Sequence, residues 1–288
     1  MHQRVAAIND LSGLGRCSLT ADIAVLAAMG IEACPLPTAV LTSQTGYPGF
    51  HNVSFTEEMP NYTRHWKALG VSFDGILSGY LRTPETVRET AEFLQVFHRK
   101  GAFYLCDPVL GDNGHTYRGF TDASIDSMRK LAEEADLVTP NFTEFCILTG
   151  TAMEPLKKLG EKEPESLFRE LIEKASILHN PSLVITGIHC RGKEGRPLIA
   201  NLVLQKGREM PIYFPRLNGT YSGTGDLFAA VLMGSRLQHR DLVQSTRLAG
   251  DFILRSITDA QKEAVPFNDG INYEPYLLLL SPGKQVQQ

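Results

Sequence analysis

Phe73-Asp-Gly-Ile-Leu77-Ser-Gly-Tyr-Leu81-Arg-Thr83-Pro84, continued through Lys100 to Ala102-Phe-Tyr-Leu-Cys106-Asp107, is the stretch that decides the fold. Phe73 to Leu77 reads as a strand ending in Ser78-Gly79-Tyr80-Leu81. The Thr83-Pro84 pair starts a helix, because proline suits a first turn whose N–H groups have no partner anyway. Pro84 to Lys100 spaces its apolar residues for one helical face, and Ala102 to Cys106 is a second buried strand. Strand, helix and strand in that order favour a parallel sheet with covering helices.

The alternation extends in both directions. Toward the N-terminus, Val5 to Ile8 is a strand that gives way to Asn9-Asp10-Leu11-Ser12-Gly13-Leu14-Gly15. A helix from Ser18 to Met29 follows, with Leu19, Ile23, Leu26 and Met29 apolar. Ile31 to Leu41 is apolar but carries prolines at 35 and 37, and leads into a hydroxyl-rich loop from Thr42 to Phe50. Glu57 to Leu69 is helical, with Trp66 and Leu69 toward the core. On the other side come a helix over Ala123 to Ala135, a short strand over Asp136 to Val138, and a helix opened by Thr139-Pro140-Asn141, with Pro140 in its first turn. Glu165 to Leu178 is a helix, and Leu183 to Ile185 a strand ending at Thr186-Gly187. Leu198 to Leu204 and Met210 to Phe214 form a hairpin about Lys206-Gly207. Helices over Leu242 to Ile257 and Tyr273 to Leu280 close the chain, and Ser281 to Gln288 is expected to fray. With no repeat, linker or shift in composition, residues 1–288 read as a single domain.

The 288 residues are 43% hydrophobic and 21% charged, which suits a globular chain with a substantial core. Lysine and arginine number 28 against 32 acids, for a net charge of −4, so no basic footprint for nucleic acid or an anionic membrane is present. The five cysteines form no C-x-x-C pair, which points to a reducing, cytoplasmic setting. The N-terminus turns polar too soon for a signal peptide, and no apolar run reaches membrane-spanning length.

In such sheets ligands sit beyond the carboxyl ends of the strands. The strongest candidate lies at Asn218-Gly-Thr-Tyr-Ser-Gly223-Thr-Gly-Asp226, which runs straight into an apolar helix. Gly223, Thr224 and Gly225 can turn consecutive N–H groups onto one point at the positive end of that helix, an anion site suited to phosphate. Asp226 would repel phosphate unless it accepts a proton from an attacking hydroxyl; as a bare N-cap it would not need three glycines. Asp107 follows a strand and precedes a glycine-punctuated loop, either a metal-side carboxylate with a mobile flap or a simple turn initiator. Glu144, one turn into its helix, is a cap partner or a second carboxylate at the same edge, and Mg²⁺ is commonly held by one or two carboxylates plus substrate phosphates. Asp10 and Ser12 stand in a tight turn open to a ligand. Gly13-Leu-Gly15-Arg-Cys-Ser18 matches the dinucleotide fingerprint only in part, since Ser18 stands where the third glycine belongs.

Taken together, Ser78-Gly-Tyr-Leu81, Cys106-Asp-Pro-Val-Leu-Gly111, Thr139-Pro-Asn-Phe-Thr-Glu144 and Gly223-Thr-Gly-Asp226 resemble the ribokinase-like superfamily, specifically its pyridoxal and pyridoxamine kinases. The resemblance covers nearly the whole chain and implies a three-layer α/β fold with a central, mostly parallel sheet and helices on both faces. It implies ATP- and Mg²⁺-dependent phosphorylation of a B6 vitamer, with Asp226 as general base and the 223–225 amides as anion hole. Asn141 and Glu144 would organise Mg²⁺ and phosphate, and Asp107 would lie near the triphosphate and metal. Thr139 and Thr186, with Gly187 beside it, would face the nucleotide. Thr45, Tyr80, Asp10 and Ser12 would face the vitamin, and Leu110 to Phe120 would be a flap over ATP. Family habit adds a homodimer, while a requirement for a monovalent cation is open. Two positions depart from the pattern: Asp10 replaces a serine, and Gly46 a glutamine. The Asp10 turn also resembles hydroxymethylpyrimidine and phosphomethylpyrimidine kinases, which usually carry cysteine where Asp226 stands. A nicotinamide dehydrogenase built on Gly13 and Gly15, and a nucleotide-binding protein without catalysis, are the competing readings.

Overall fold

The computed structural model describes residues 3–98 and 101–283. The chain begins with β1 (Arg4–Ser12), α1 (Ser18–Ala28), β2 (Glu32–Leu41), β3 (Asn52–Ser54) and α2 (Met59–Ala68). Next come β4 (Gly75–Ser78), α3 (Pro84–Phe97), β5 (Phe103–Cys106), a small hairpin of β6 (Gly111–Asp112) and β7 (His115–Thr116), α4 (Asp122–Glu133) and β8 (Leu137–Val138). Then follow α5 (Phe142–Thr149), α6 (Met153–Lys162), α7 (Pro164–Ala175), β9 (Ser182–Arg191), β10 (Pro197–Gln205), β11 (Arg208–Pro215), α8 (Thr224–Leu237) and α9 (Leu242–Lys262).

Nine strands form one sheet in the order β11-β10-β9-β8-β5-β4-β1-β2-β3. The stretch from β9 to β2 is parallel, while β3, β10 and β11 are antiparallel at the edges. Successive strand residues face opposite sides. Val5, Leu77, Leu105, Leu137 and Val184 pack under α1, α8 and α9. Ala6, Ile76, Tyr104, Val138 and Leu183 pack under α2 to α7. The result is the expected three-layer α/β architecture. β1 has β2 on one side and β4 on the other, so the winding direction reverses there and a crevice opens at the carboxyl ends of those strands.

Several local expectations change. Ile31 to Leu41 contains a regular strand, β2, despite its prolines. Glu32 donates its N–H to Gln3 O, so by strand alternation the even residues face β1 while Pro35 and Pro37 face the side where β3 covers only Ala39 to Leu41. Leu69 is not a core residue: it caps α2 and is 64% exposed, whereas Trp66 packs against Tyr62, Phe73 and Phe93. On α1 the core face carries Asp22, and Ile23 is 37% exposed. Pro140 lies before the helix, because Asn141 is the N-cap of α5. β9 does not stop at Thr186-Gly187 but continues to Arg191. Those two residues oppose Asn201 alone, in a bulge where Gly187 has φ 70° and donates its N–H to Asn201 Oδ1. α6 was not foreseen, and Glu274–Leu280 is a 3₁₀ helix. The end of the α3 expectation at Arg99 and Lys100, and most of the tail from Lys284, lie outside the described residues. No helix among the described residues is long and apolar enough to cross a membrane.

Candidate active site

The carboxyl ends of β1, β4, β5 and β8 present Asn9, Gly79, Asp107 and Thr139 on one edge, and the N-terminus of α8 is brought against it. Gly223, the N-cap, has φ 80°, and a Cβ there would collide with the Arg16 carbonyl oxygen. Glycine is therefore required both by conformation and by close approach of the first loop. A Cβ on Gly225 would lie 3.7 Å from Asp107 Oδ2, which places the first turn of α8 directly over the end of β5. Thr224 donates its hydroxyl to Tyr221 O at 3.3 Å. The N–H groups of that first turn have no intrahelical acceptor and carry the helix dipole, so 223–225 set the positive end of α8 at this edge.

Five carboxyl groups share this end of the sheet: Asp10, Asp22, Asp107, Glu144 and Asp226. None of them is paired with lysine, arginine or histidine among the described residues. Burial raises Asp226 to about 6; the Ser18 N–H and the Asn9 amide oppose the shift, and the Asp10 charge adds to it. Asp107, which accepts the Thr139 hydroxyl at 3.0 Å, is raised to about 8 by burial and then by Asp226. Glu144 is pushed well above the carboxylate range by burial and then by Asp107, against the N–H bonds it accepts. Such a site has a deficit of positive charge.

Asn141 and Glu144 form a capping box: Glu144 N–H donates to Asn141 Oδ1 at 3.0 Å and Asn141 N–H to Glu144 Oε2 at 2.8 Å. The same two side chains anchor the next loop. Leu110 N–H donates to Glu144 Oε1 at 3.1 Å, and Asn141 Nδ2 donates to Gly111 O at 2.8 Å. The segment expected as a mobile flap is thus a β6–β7 hairpin with its base held down, turning at Asn113 and Gly114, both of positive φ. Thr186 lies beside this corner, donating its N–H to Pro140 O at 2.9 Å.

On the other side of Asp226, Asp10 is buried and accepts the hydroxyls of Ser12 at 2.8 Å and Ser18 at 2.6 Å. Ser18 has φ 54°, a left-handed conformation costing a non-glycine residue about 1–3 kcal/mol, which its tie to Asp10 sustains. Tyr80 is half-buried and sets its ring against Phe120 at 5.8 Å. Thr45 is exposed in a loop tied down by its neighbours: Asn268 donates to Gly46 O at 3.0 Å, Gln44 to Asn268 O at 3.2 Å, and Tyr47 to Asp269. Gly13 is needed for packing, since a Cβ would lie 2.9 Å from Thr42 O, and this accounts for the glycine that had hinted at a dinucleotide loop.

Sequence reasoning missed Asn9, Asp22 and Asn201. The signal for Asp22 was present, because a carboxylate at 22 shares a helical face with Leu19, Leu26 and Met29. Among the described residues no three or more His, Cys, Asp or Glu side chains are grouped to hold a metal ion. Two buried carboxylates, Asp107 and Glu144, without a cationic neighbour fit a divalent cation whose remaining ligands are water and phosphate oxygens.

A parallel sheet whose winding reverses beneath a carboxylate-lined helix N-terminus is the architecture of a phosphotransferase of the ribokinase-like class. The chain belongs to the phosphomethylpyrimidine kinase family, whose model matches residues 15–271. A crystal structure of a Bacteroides thetaiotaomicron protein assigned as a phosphomethylpyrimidine kinase, solved with pyridoxal, superposes with TM-score 0.89 at 34% identity, covering 100% of this chain and 98% of that one. The pyridoxal kinase of Lactobacillus plantarum gives 0.82 at 26% identity, covering 97% and 96%. Among sequences, a pyridoxal kinase of Paraburkholderia xenovorans is 26% identical over 275 residues, 91% of this chain and 88% of that protein.

Proposed function

We propose that the protein transfers the γ-phosphoryl group of ATP to the 5′-hydroxymethyl group of a B6 vitamer by direct in-line displacement, salvaging pyridoxal phosphate. The observation that carries this reading is Asp226: a carboxylate raised to about 6, in the first turn of α8 and at the edge that also carries Asp107. Near neutral pH it is ionised yet basic enough to take the acceptor's proton as the oxygen attacks. The first-turn amides of α8 would hold the transferring phosphoryl group, and Thr139, Thr186 and Gly187 would lie along the nucleotide. Asp107 and Glu144 would hold Mg²⁺, which when bound neutralises charge on the phosphate oxygens. The reading extends to a cytoplasmic homodimer. ATP consumption with pyridoxal, pyridoxamine or hydroxymethylpyrimidine as acceptor tests it. The family match favours the pyrimidine as a second reading, and turnover with hydroxymethylpyrimidine alone would establish that reading instead.

Asp107→Asn and Glu144→Gln are expected to raise the Mg²⁺ concentration at half-maximal rate, because each removes negative charge near the cation. Glu144→Gln should also loosen the hairpin base, since an amide nitrogen cannot accept from Leu110 or Asn141. An Mg²⁺ titration checks this; unchanged half-saturation in both variants would make the two carboxylates purely structural.

Asp10 is proposed to meet the vitamin. A carboxylate there accepts a charge-assisted bond from the aminomethyl cation of pyridoxamine, worth about 1.5–3 kcal/mol. Asp10→Ser should therefore lower kcat/KM for pyridoxamine by roughly 10-fold or more, and for pyridoxal less. Equal losses would point to the ring nitrogen or to the lost Ser18 tie, and no loss for any acceptor would end the substrate role.

A further inference from the structure

Asn9 ends the pairing of β1 with β4 and uses every hydrogen-bonding group of its side-chain amide. Oδ1 accepts the N–H of Tyr80 at 2.8 Å and of Asp10 at 3.0 Å. Nδ2 donates to Asp22 Oδ2 and to Asp226 Oδ1, both at 3.1 Å. Two backbone donors on one side and two carboxyl oxygens on the other allow only one orientation of the amide, because the flipped form would set NH₂ against N–H and oxygen against oxygen. Gly79 makes the room: a Cβ there would lie 2.5 Å from Nδ2 and 2.7 Å from Oδ1.

Asp22 has no other visible task. It is 1% exposed on the core face of α1, and its Oδ1 is buried without a partner, an arrangement that stability alone disfavours. Burial, and then the charge of Asp226, pushes it well above the carboxylate range.

We infer that Asn9 and Asp22 are positioning residues for Asp226: Asp22, with the Tyr80 and Asp10 amides, holds the Asn9 amide in one orientation, and that amide holds Asp226 Oδ1. This rests on the reading of Asp226 as the general base. A carboxylate pinned at one oxygen cannot rotate away from the incoming hydroxyl, so losing the pin costs turnover and not nucleotide affinity.

Steady-state kinetics with MgATP and pyridoxal, on variants confirmed as folded by thermal melting, test it. Asn9→Ala and Asp22→Leu should lower kcat by about 10- to 100-fold while KM for ATP stays within about twofold. Asp22→Asn keeps an oxygen for Asn9 Nδ2 and should restore kcat to within about threefold of wild type. The double variant Asn9→Ala/Asp226→Ala should be no slower than Asp226→Ala, because Asn9 acts through that carboxylate. The inference is overturned if Asn9→Ala and Asp22→Leu turn over normally, if Asp22→Asn is as slow as Asp22→Leu, or if the two losses multiply in the double variant. Normal turnover by Asp226→Ala would overturn the assignment of the base itself; a slow Asp226→Ala beside a normal Asn9→Ala would overturn only the positioning. Should Asn9→Ala not fold, Asp22→Leu, alone and combined with Asp226→Ala, carries the same comparison against Asp22→Asn.

Discussion

The Asp226→Ala variant is expected to bind ATP normally and to turn over about 10² to 10⁴ times more slowly, the usual range for a lost general base. Gly223 and not Asp226 is the N-cap of α8, so a purely helix-end role for Asp226 in the first turn would appear instead as about 0.3–1 kcal/mol of stability with turnover preserved. Its side chain accepts from the Asn9 amide and the Ser18 N–H, so it is tied to β1 and α1 and not only to its own helix. A pH profile adds a second check. Burial raises the group to about 6, and the ionised form is the active one, so kcat/KM should fall as pH falls through about 6. A limb unmoved by Asp226→Ala, in an enzyme still turning over near the wild-type rate, would refute the assignment.

Gly223→Ala is expected to be the most damaging single methyl in the protein. At φ 80° an alanine carries about 1–3 kcal/mol of backbone strain before any clash is counted. The new Cβ would also meet the Arg16 carbonyl oxygen and the Cys17 Cα, both backbone and neither free to swing aside. Relief requires the 222–225 turn to withdraw from the first loop, which takes the α8 amides away from Asp107. Both thermal stability and kcat should therefore drop, with the loss of rate exceeding 10-fold, the order expected for removing preorganised anion donors. Gly225→Ala is the control. Its nearest neighbour would be Asp107 Oδ2 at 3.7 Å, an ordinary contact, so it should fold normally. Equal melting temperatures for wild type and Gly223→Ala, measured by differential scanning calorimetry, would contradict the argument.

Much of this protein was legible before any coordinates. The order of strands and helices, the parallel sheet and the glycine corner before Asp226 follow from local patterns, because periodicity and glycine placement act over a few residues. The Asn141 and Glu144 capping box is equally local: the three-residue spacing brings the side chains together whatever the rest of the chain does. The hairpin turn at Lys206 and Gly207, both of positive φ, belongs with them.

Other features were decided only by tertiary packing. Leu19 shares a helical face with residue 22 and with residue 23 alike, and helical periodicity cannot choose between them. The packing of α1 against β1 and α8 chose Asp22, turning the polar member inward where Asn9 awaits it and leaving Ile23 outside. The prolines of β2 obscured a strand because no local pattern reveals which N–H groups will face an uncovered edge. Gly79 and Gly223 were visible as glycines, but what each must accommodate, the Asn9 amide and the Arg16 carbonyl, comes from segments 70 and 207 residues away along the chain. Sequence determined the elements and the chemical groups at their ends. The three-dimensional approach of those ends decided which carboxylates share a field and which amide is bonded to Asp226.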